Sequence, residues 1–155
     1  MYFDLNNDVK EVQSHIEINS YPERVWKILT DFSMYEQWNP FINKIIGQPK
    51  EGSKIEVYIE TPSGKNRKYS PTITKVEEGR ELRWFGRSSL PGFLDGEHIF
   101  TIEELQPERV RFSQREVFDG LLAWFFGKSL DIDVRQGFQD MNNALKKRAE
   151  HHTHY

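Results

Sequence analysis

The feature that most constrains the fold is a change of hydrophobic period near Gly120. Before it, from about residue 42 to residue 118, apolar residues recur at every second position. In "ERVRFSQREVF", Val110, Phe112, Gln114, Glu116 and Phe118 share one face, while Arg109, Arg111, Ser113 and Arg115 share the other. Successive strand residues point to opposite faces, so the segment reads as a strand with its arginines in solvent. After Gly120, Val134, Phe138, Met141 and Leu145 recur at intervals of three and four, which is helical spacing. A series of strands followed by one long amphipathic helix has few solutions. The helix must bury its stripe, and the concave face of a curved sheet is the only large apolar surface available.

The remaining elements follow from the same periods. In "KEVQSHIEI" (10–18), Val12, Ser14, Ile16 and Ile18 alternate with Glu11, Gln13, His15 and Glu17, giving a half-buried strand. "NSYPERVWKILTDF" predicts a short helix with Asn19 or Ser20 as N-cap, Pro22 in its first turn and an apolar stripe of Val25, Trp26, Ile28 and Leu29. "SMYEQW" predicts a second helical turn capped by Ser33, which Asn39-Pro40 stops because a residue before proline avoids the helical region. Six strands come next: "NKIIGQ", "SKIEVYIET", "KYSPTITKVEE", "ELRWFGR", "EHIFTIEEL" and "ERVRFSQREVF". They are punctuated by "EGS", "PSGKN", "EEGR" and "QPE". For the terminal helix, Ser129 is the expected cap, and Lys146, Lys147 and Arg148 suit the negative end of its macrodipole. The expectation is an α+β fold: a curved seven-stranded antiparallel sheet, two short helices and a long C-terminal helix enclosing a cavity. No repeat or linker divides the chain, so one domain spans 1–150 and "HHTHY" (151–155) is a tail.

Composition narrows the classes of function. At 155 residues the chain suits one core, and 11 Phe, 6 Tyr and 4 Trp supply bulky side chains to fill it or to line a cavity. A net charge of -3 provides no broad attraction to nucleic acid or anionic membranes. Zero cysteines exclude disulfides, thiolate nucleophiles and cysteine metal sites, and suit a reducing compartment. The N-terminus lacks the basic and apolar regions of a signal peptide, so a cytoplasmic protein is expected. "LLAWFF" reads alternatively as a membrane anchor, but it has only Lys128 as a basic flank, and stable insertion is not expected. There is no P-loop, GxGxxG or G-x-S-x-G elbow, and no metal-ligand spacing. His151, His152 and His154 belong to the tail, so no cofactor or metal is expected.

Two stretches carry a family resemblance. "PERVWKILTDFSMYEQWNPFI" resembles the opening of bacterial polyketide cyclase/dehydrase-like proteins, and "ELRWFG...GEHIFTIEE" followed by "REVFDGLL" resembles their later strands. With the element order, the chain resembles the helix-grip fold of the SRPBCC superfamily over nearly its whole length. That superfamily includes START lipid-transfer domains and birch-pollen-allergen-like proteins. The resemblance implies a hydrophobic small molecule held between sheet and long helix, in some members for catalysis.

Strand parity locates candidate residues without reference to any family. A hairpin symmetric about Pro107 pairs Ile102 with Phe112, Phe100 with Gln114, and His98 with Glu116, so the apolar faces coincide. Symmetry of the preceding connection about residue 91 places Trp84 opposite His98. A row Trp84, His98, Glu116 then crosses three strands, with opposed Cβ atoms ~5 Å apart. A carboxylate facing a histidine favours imidazolium while burial favours neutral partners, so the two are coupled and His98 and Glu116 are the candidate acid/base pair. The alternative is structural: a buried carboxylate needs a donor, and His98 or the Trp84 indole supplies it.

The candidate ligand lining is Trp38, Asn39, Trp84, His98, Phe100, Gln114, Glu116, Phe118 and Phe138, with Leu122, Phe125 and Phe126 beneath the long helix. Trp38 also reads as a core plug and Asn39 as a turn former, and the aromatic stripe also reads as ordinary core. Three functions remain open. They are binding of a hydrophobic or aromatic small molecule, a cofactor-independent polyketide cyclase/dehydratase-type reaction through His98 and Glu116, and an Hsp90-activator-like interaction module using the outer face of the sheet.

Overall fold

The computed structural model describes residues 10–87, 95–119 and 121–151, with backbone alone for residues 10 and 121–131. The chain runs β1 (Lys10–Ile18), α1 (Pro22–Thr30), a 3-10 turn (Phe32–Met34), α2 (Tyr35–Trp38), β2 (Ile42–Ile46), β3 (Glu56–Glu60), β4 (Asn66–Tyr69), β5 (Thr72–Glu77), β6 (Glu81–Arg87), β7 (Asp95–Gln106), β8 (Arg109–Asp119) and α3 (Leu121–Glu150). A five-stranded antiparallel sheet has the order β1-β8-β7-β6-β5, and a second sheet has the order β2-β3-β4. This is an α+β helix-grip architecture, with α3 against the concave side.

The strand count differs from the expected seven in one sheet. "KYSPTITKVEE" is two strands because Pro71 lacks an N–H and restricts the backbone of Ser70, so the ladder of β4 ends and β5 starts in the other sheet. The two sheets are stitched at that corner. Ile55 N donates to Pro71 O at 2.9 Å, Ile73 N donates to Ser53 O at 2.9 Å, and Lys54 bridges to Thr72.

The helix starts also differ from expectation. Tyr21, not Asn19 or Ser20, is the N-cap of α1 and makes no side-chain cap bond. Pro22 at the first position has no N–H to satisfy, which lowers the demand for a cap. Ser33 lies inside the 3-10 turn, which starts one residue earlier, and its hydroxyl donates to Asp31 Oδ1 at 2.9 Å. Ser129 lies within α3, which begins eight residues before it at Leu121.

α3 buries Phe138, Met141, Asn142, Leu145 and Ala149, while Val134 is half-buried. Burying a side chain such as Phe138 contributes about 2–3 kcal/mol. Gly137 permits this docking: a Cβ there would stand 2.4 Å from Phe41 Cδ2, and the Phe41 ring packs edge-on to Phe138 at 5.8 Å. At the C-terminus of α3 the capping cation comes from α1. Arg24 Nε donates to Ala149 O at 2.7 Å, and its Nη2 donates to His151 O at 3.1 Å. Lys146 instead donates to Glu17 O at 2.8 Å and pairs with Glu150.

The outer-face arginines of β8 are ion-paired, Arg109 with Glu17, Arg111 with Glu103 and Arg115 with Glu11. Among the described residues no helix is long and apolar enough to cross a membrane.

Candidate functional site on the concave face

The register of the five-stranded sheet pairs Trp84 with His98 and His98 with Glu116. It also pairs Phe100 with Gln114 and Ile102 with Phe112, so the hairpin arithmetic and the observed ladder agree. The two hairpins fix this because a slip of one residue would turn Phe100 and Ile102 of β7 out of the core.

His98 is held on both ring nitrogens. Nδ1 lies 3.0 Å from Glu116 Oε2, and Nε2 lies 3.1 Å from Gln114 Oε1. Gln114 Nε2 donates to Asn142 Oδ1 at 2.7 Å and approaches Phe138 O at 3.4 Å. Asn142 Nδ2 donates to Ser14 Oγ at 3.1 Å. The Phe138 carbonyl can only accept, so the Gln114 amide turns its NH2 toward α3 and its oxygen toward His98. His98 Nε2 therefore carries a hydrogen. The remaining ring nitrogen, Nδ1, faces Glu116 Oε2 within hydrogen-bond distance. Glu116 Oε1 has no partner among the described residues.

Aromatic rings fix the imidazole plane. His98 stacks on Phe100 at 4.1 Å and 19°, with Trp84 and Phe138 each at 5.2 Å. Exposure rises along the hydrogen-bond chain: Gln114 is fully buried, and the side chains of His98 and Glu116 are 4 % and 15 % exposed. The Glu116 carboxylate is thus the member of the chain nearest the open side. Tyr69, 47 % exposed, shares a face of β4 with the side paired to buried Val57. Its phenol is pushed above the ordinary value first by burial, with Glu116 adding to the effect and Arg67 opposing it.

Trp38 and Asn39 lie apart from this row. Trp38 packs against Tyr35 at 5.0 Å, and the rings of Tyr35 and Phe32 separate it from Trp84. Its edge lines a different surface groove of about 610 Å³, beside Lys27, Asp31, Lys147 and Arg148 at the end of α3. Asn39 Oδ1 accepts from the N–H groups of Phe41 (3.0 Å) and Ile42 (2.9 Å), which makes it the turn former. Phe100 and Phe138 are fully buried behind His98, and Phe118 is half-buried beyond Glu116. The side chains of Leu122, Phe125 and Phe126 lie outside the described residues.

Sequence reasoning missed Asn142 and Ser14 as members of the hydrogen-bond chain. A signal existed for both: Ser14 is the polar residue on the apolar face of β1, opposite Gln114, and Asn142 interrupts the apolar stripe of α3. One polar residue in each of several packed stripes marks a shared network.

The comparisons agree with this fold. No curated protein matches the chain. A START superfamily protein from Mycobacterium smegmatis superposes with a TM-score of 0.72 at 20% identity, over 90% of this chain and 97% of that one. The Zhui aromatase/cyclase from Streptomyces sp. R1128 gives 0.74 at 15% identity, over 92% and 94%. The di-domain ARO/CYC BexL of the BE-7585A biosynthetic pathway gives 0.76 at 9% identity, over 95% of this chain and 52% of that one. At such identities the likeness is one of fold. The match to the family described as "Polyketide cyclase / dehydrase and lipid transport" runs from residue 10 to residue 150, and the chain belongs to that family.

Proposed function

We propose that this protein binds a hydrophobic or aromatic small molecule in a cavity between the five-stranded sheet and α3, with Glu116 as its polar contact and Trp84 and Phe118 as aromatic contacts. His98, Gln114, Phe100 and Phe138 form the layer behind and hold the carboxylate in place. The observation that carries the reading is the half-satisfied carboxylate: Glu116 Oε2 is bonded to buried His98, while Oε1 has no partner among the described residues. Few polar groups among many aromatics is the usual make-up of a small-molecule site. The family description, which joins cyclase and lipid-transport members, supports the same class of ligand. Native mass spectrometry of gently purified protein tests it. A co-purifying mass released on denaturation is expected. Repeated preparations that carry nothing, and take up no added aromatic compound, contradict the reading.

A second reading is favoured by the anchored imidazole: a cofactor-independent cyclase or dehydratase in which His98 and Glu116 move a proton. A histidine 3.0 Å from a carboxylate and fixed at its other nitrogen by Gln114 is oriented for that task. The pair would remove a proton next to a carbonyl or deliver one to a leaving hydroxyl, steps worth roughly 10²–10⁴ in rate. Turnover of a poly-ketone substrate should fall by about that factor in His98→Ala and Glu116→Ala. Equal turnover in wild type and both variants removes the proposed roles.

A further inference from the structure

The next row along the concave face has two positions without side chains. Two residues beyond Trp84, His98 and Glu116 stand Gly86, Gly96 and Phe118, with Gly86 paired to Gly96 and Gly96 to Phe118. Two adjacent glycines in the middle of a sheet weaken it by roughly 0.5–1 kcal/mol each relative to alanine, so they call for a reason.

Backbone geometry does not supply one. Among the described residues the glycines with positive φ are Gly47, Gly52, Gly64 and Gly79, and the β6–β7 register runs unbroken from Glu81–Thr101 to Arg87–Asp95. Packing does not supply one at Gly86 either. A Cβ there would lie 3.5 Å from Pro71 Cβ, an ordinary contact that the fold would accept. At Gly96 a Cβ would stand 2.7 Å from Glu116 Oε1 and 3.9 Å from Phe118 Cδ1, so the carboxylate leans over the bare backbone. Gly86, needed neither for a turn nor for packing, marks a place where another group approaches the main chain.

The dimensions suit one ring. Neighbouring strands are about 4.8 Å apart and same-face rows about 6.6 Å apart, so the missing side chain of Gly86, beside the carboxylate that leans over Gly96, leaves a patch on the scale of one aromatic ring. The chemistry at its edge is one-sided. With Oε2 turned to His98 Nδ1, the second carboxyl oxygen Oε1, which has no partner among the described residues, is offered as an acceptor.

We infer that the ligand of this site carries a flat ring seated on the Gly86–Gly96 patch, with a neutral hydroxyl or N–H donor on that ring bonded to Glu116 Oε1, and that anionic carboxylate head groups are disfavoured there. This rests on the small-molecule reading above and separates a phenol- or enol-bearing ring from a fatty-acid-like anion.

Three probes of equal size distinguish the possibilities: 2-naphthol, 2-methoxynaphthalene and 2-naphthoate, titrated calorimetrically against wild type, Gly86→Ala and Glu116→Leu. In wild type, 2-naphthol should bind about tenfold tighter than either of the other two, the effect of one hydrogen bond to a carboxyl acceptor. Glu116→Leu should erase that preference. Gly86→Ala should keep the wild-type melting temperature and lose naphthol affinity, because its methyl group occupies the patch. Equal affinity for all three probes overturns the inference and leaves the cavity reading standing. A donor preference that survives intact in Gly86→Ala overturns the placement on the glycine patch. No binding of any probe to wild type overturns both.

Discussion

The concave face of the five-stranded sheet is built differently at its two ends, although the same strands and the same parity run through both. Around Gln114 every neighbour is accounted for: the amide bonds His98 and Asn142, Asn142 bonds Ser14, and Phe100, Phe112 and Phe138 have no free surface beyond 1 %. Two residues further along β8 the pattern relaxes. Glu116 is partly exposed with one oxygen unpaired among the described residues, and Gly86 and Gly96 present backbone where Trp84 and His98 presented side chains. The closed end uses its polar groups to satisfy one another, as a core must. At the open end an acceptor is left over. That difference distinguishes the two readings of this histidine: its back is structural and its front bears on function.

Stability measurements break or sharpen the contrast. The largest effect is expected from Phe138→Ala at the closed end, about 3–5 kcal/mol by urea denaturation, with Phe118→Ala at the open end costing less than half as much. Equal costs would mean that both ends are core. Next comes Gln114→Ala, which strands His98 Nε2 and the Asn142 amide at a cost of about 1–3 kcal/mol, whereas Glu116→Gln should change stability by no more than about 1 kcal/mol. A reversed order would place the structural burden on the carboxylate. Arg24→Ala should cost about 1 kcal/mol and speed amide exchange in the last turn of α3 without altering exchange at Gly86 or Gly96.

The smallest effect is alkaline. Burial, with Asp31 adding to it, holds the Tyr35 phenol well above its ordinary value, and its hydroxyl donates to Leu29 O. The unfolded phenol ionises near its ordinary value of 10.0 while the folded one stays neutral, so this contribution is complete below that pH and is lost above it. Tyr35→Phe should flatten the fall in stability above about pH 10, and Tyr69→Phe, half-exposed, should flatten it less.

The site row was legible in the sequence because its register depends on local arithmetic. Strand parity and two hairpins suffice to bring Trp84, His98 and Glu116 together, and the apolar faces forbid a one-residue slip. The second sheet was hidden because Pro71 sits in a segment whose period continues on both sides of it, and a period does not reveal a corner. Arg24 reaches the end of α3 across more than a hundred residues, which no local pattern encodes. Asn142 was legible only as an exception within a helical stripe, and its partner Gln114 became evident once α3 lay on the sheet. Trp38 read both as lining and as core plug in the sequence, since no local period says which way a loop-side aromatic turns; its ring packs on Tyr35 beside the outer groove.

The account stands on the open end of the concave face being where a small molecule enters. Backbone amide shifts followed by NMR during titration with 2-naphthol test this directly. The largest changes are predicted at Gly86, Gly96, Glu116 and Phe118, with Lys27, Lys147 and the outer-face Arg111 and Arg115 unmoved. Changes concentrated in the groove at the end of α3 or on the outer face, with the glycine row unmoved, would contradict it.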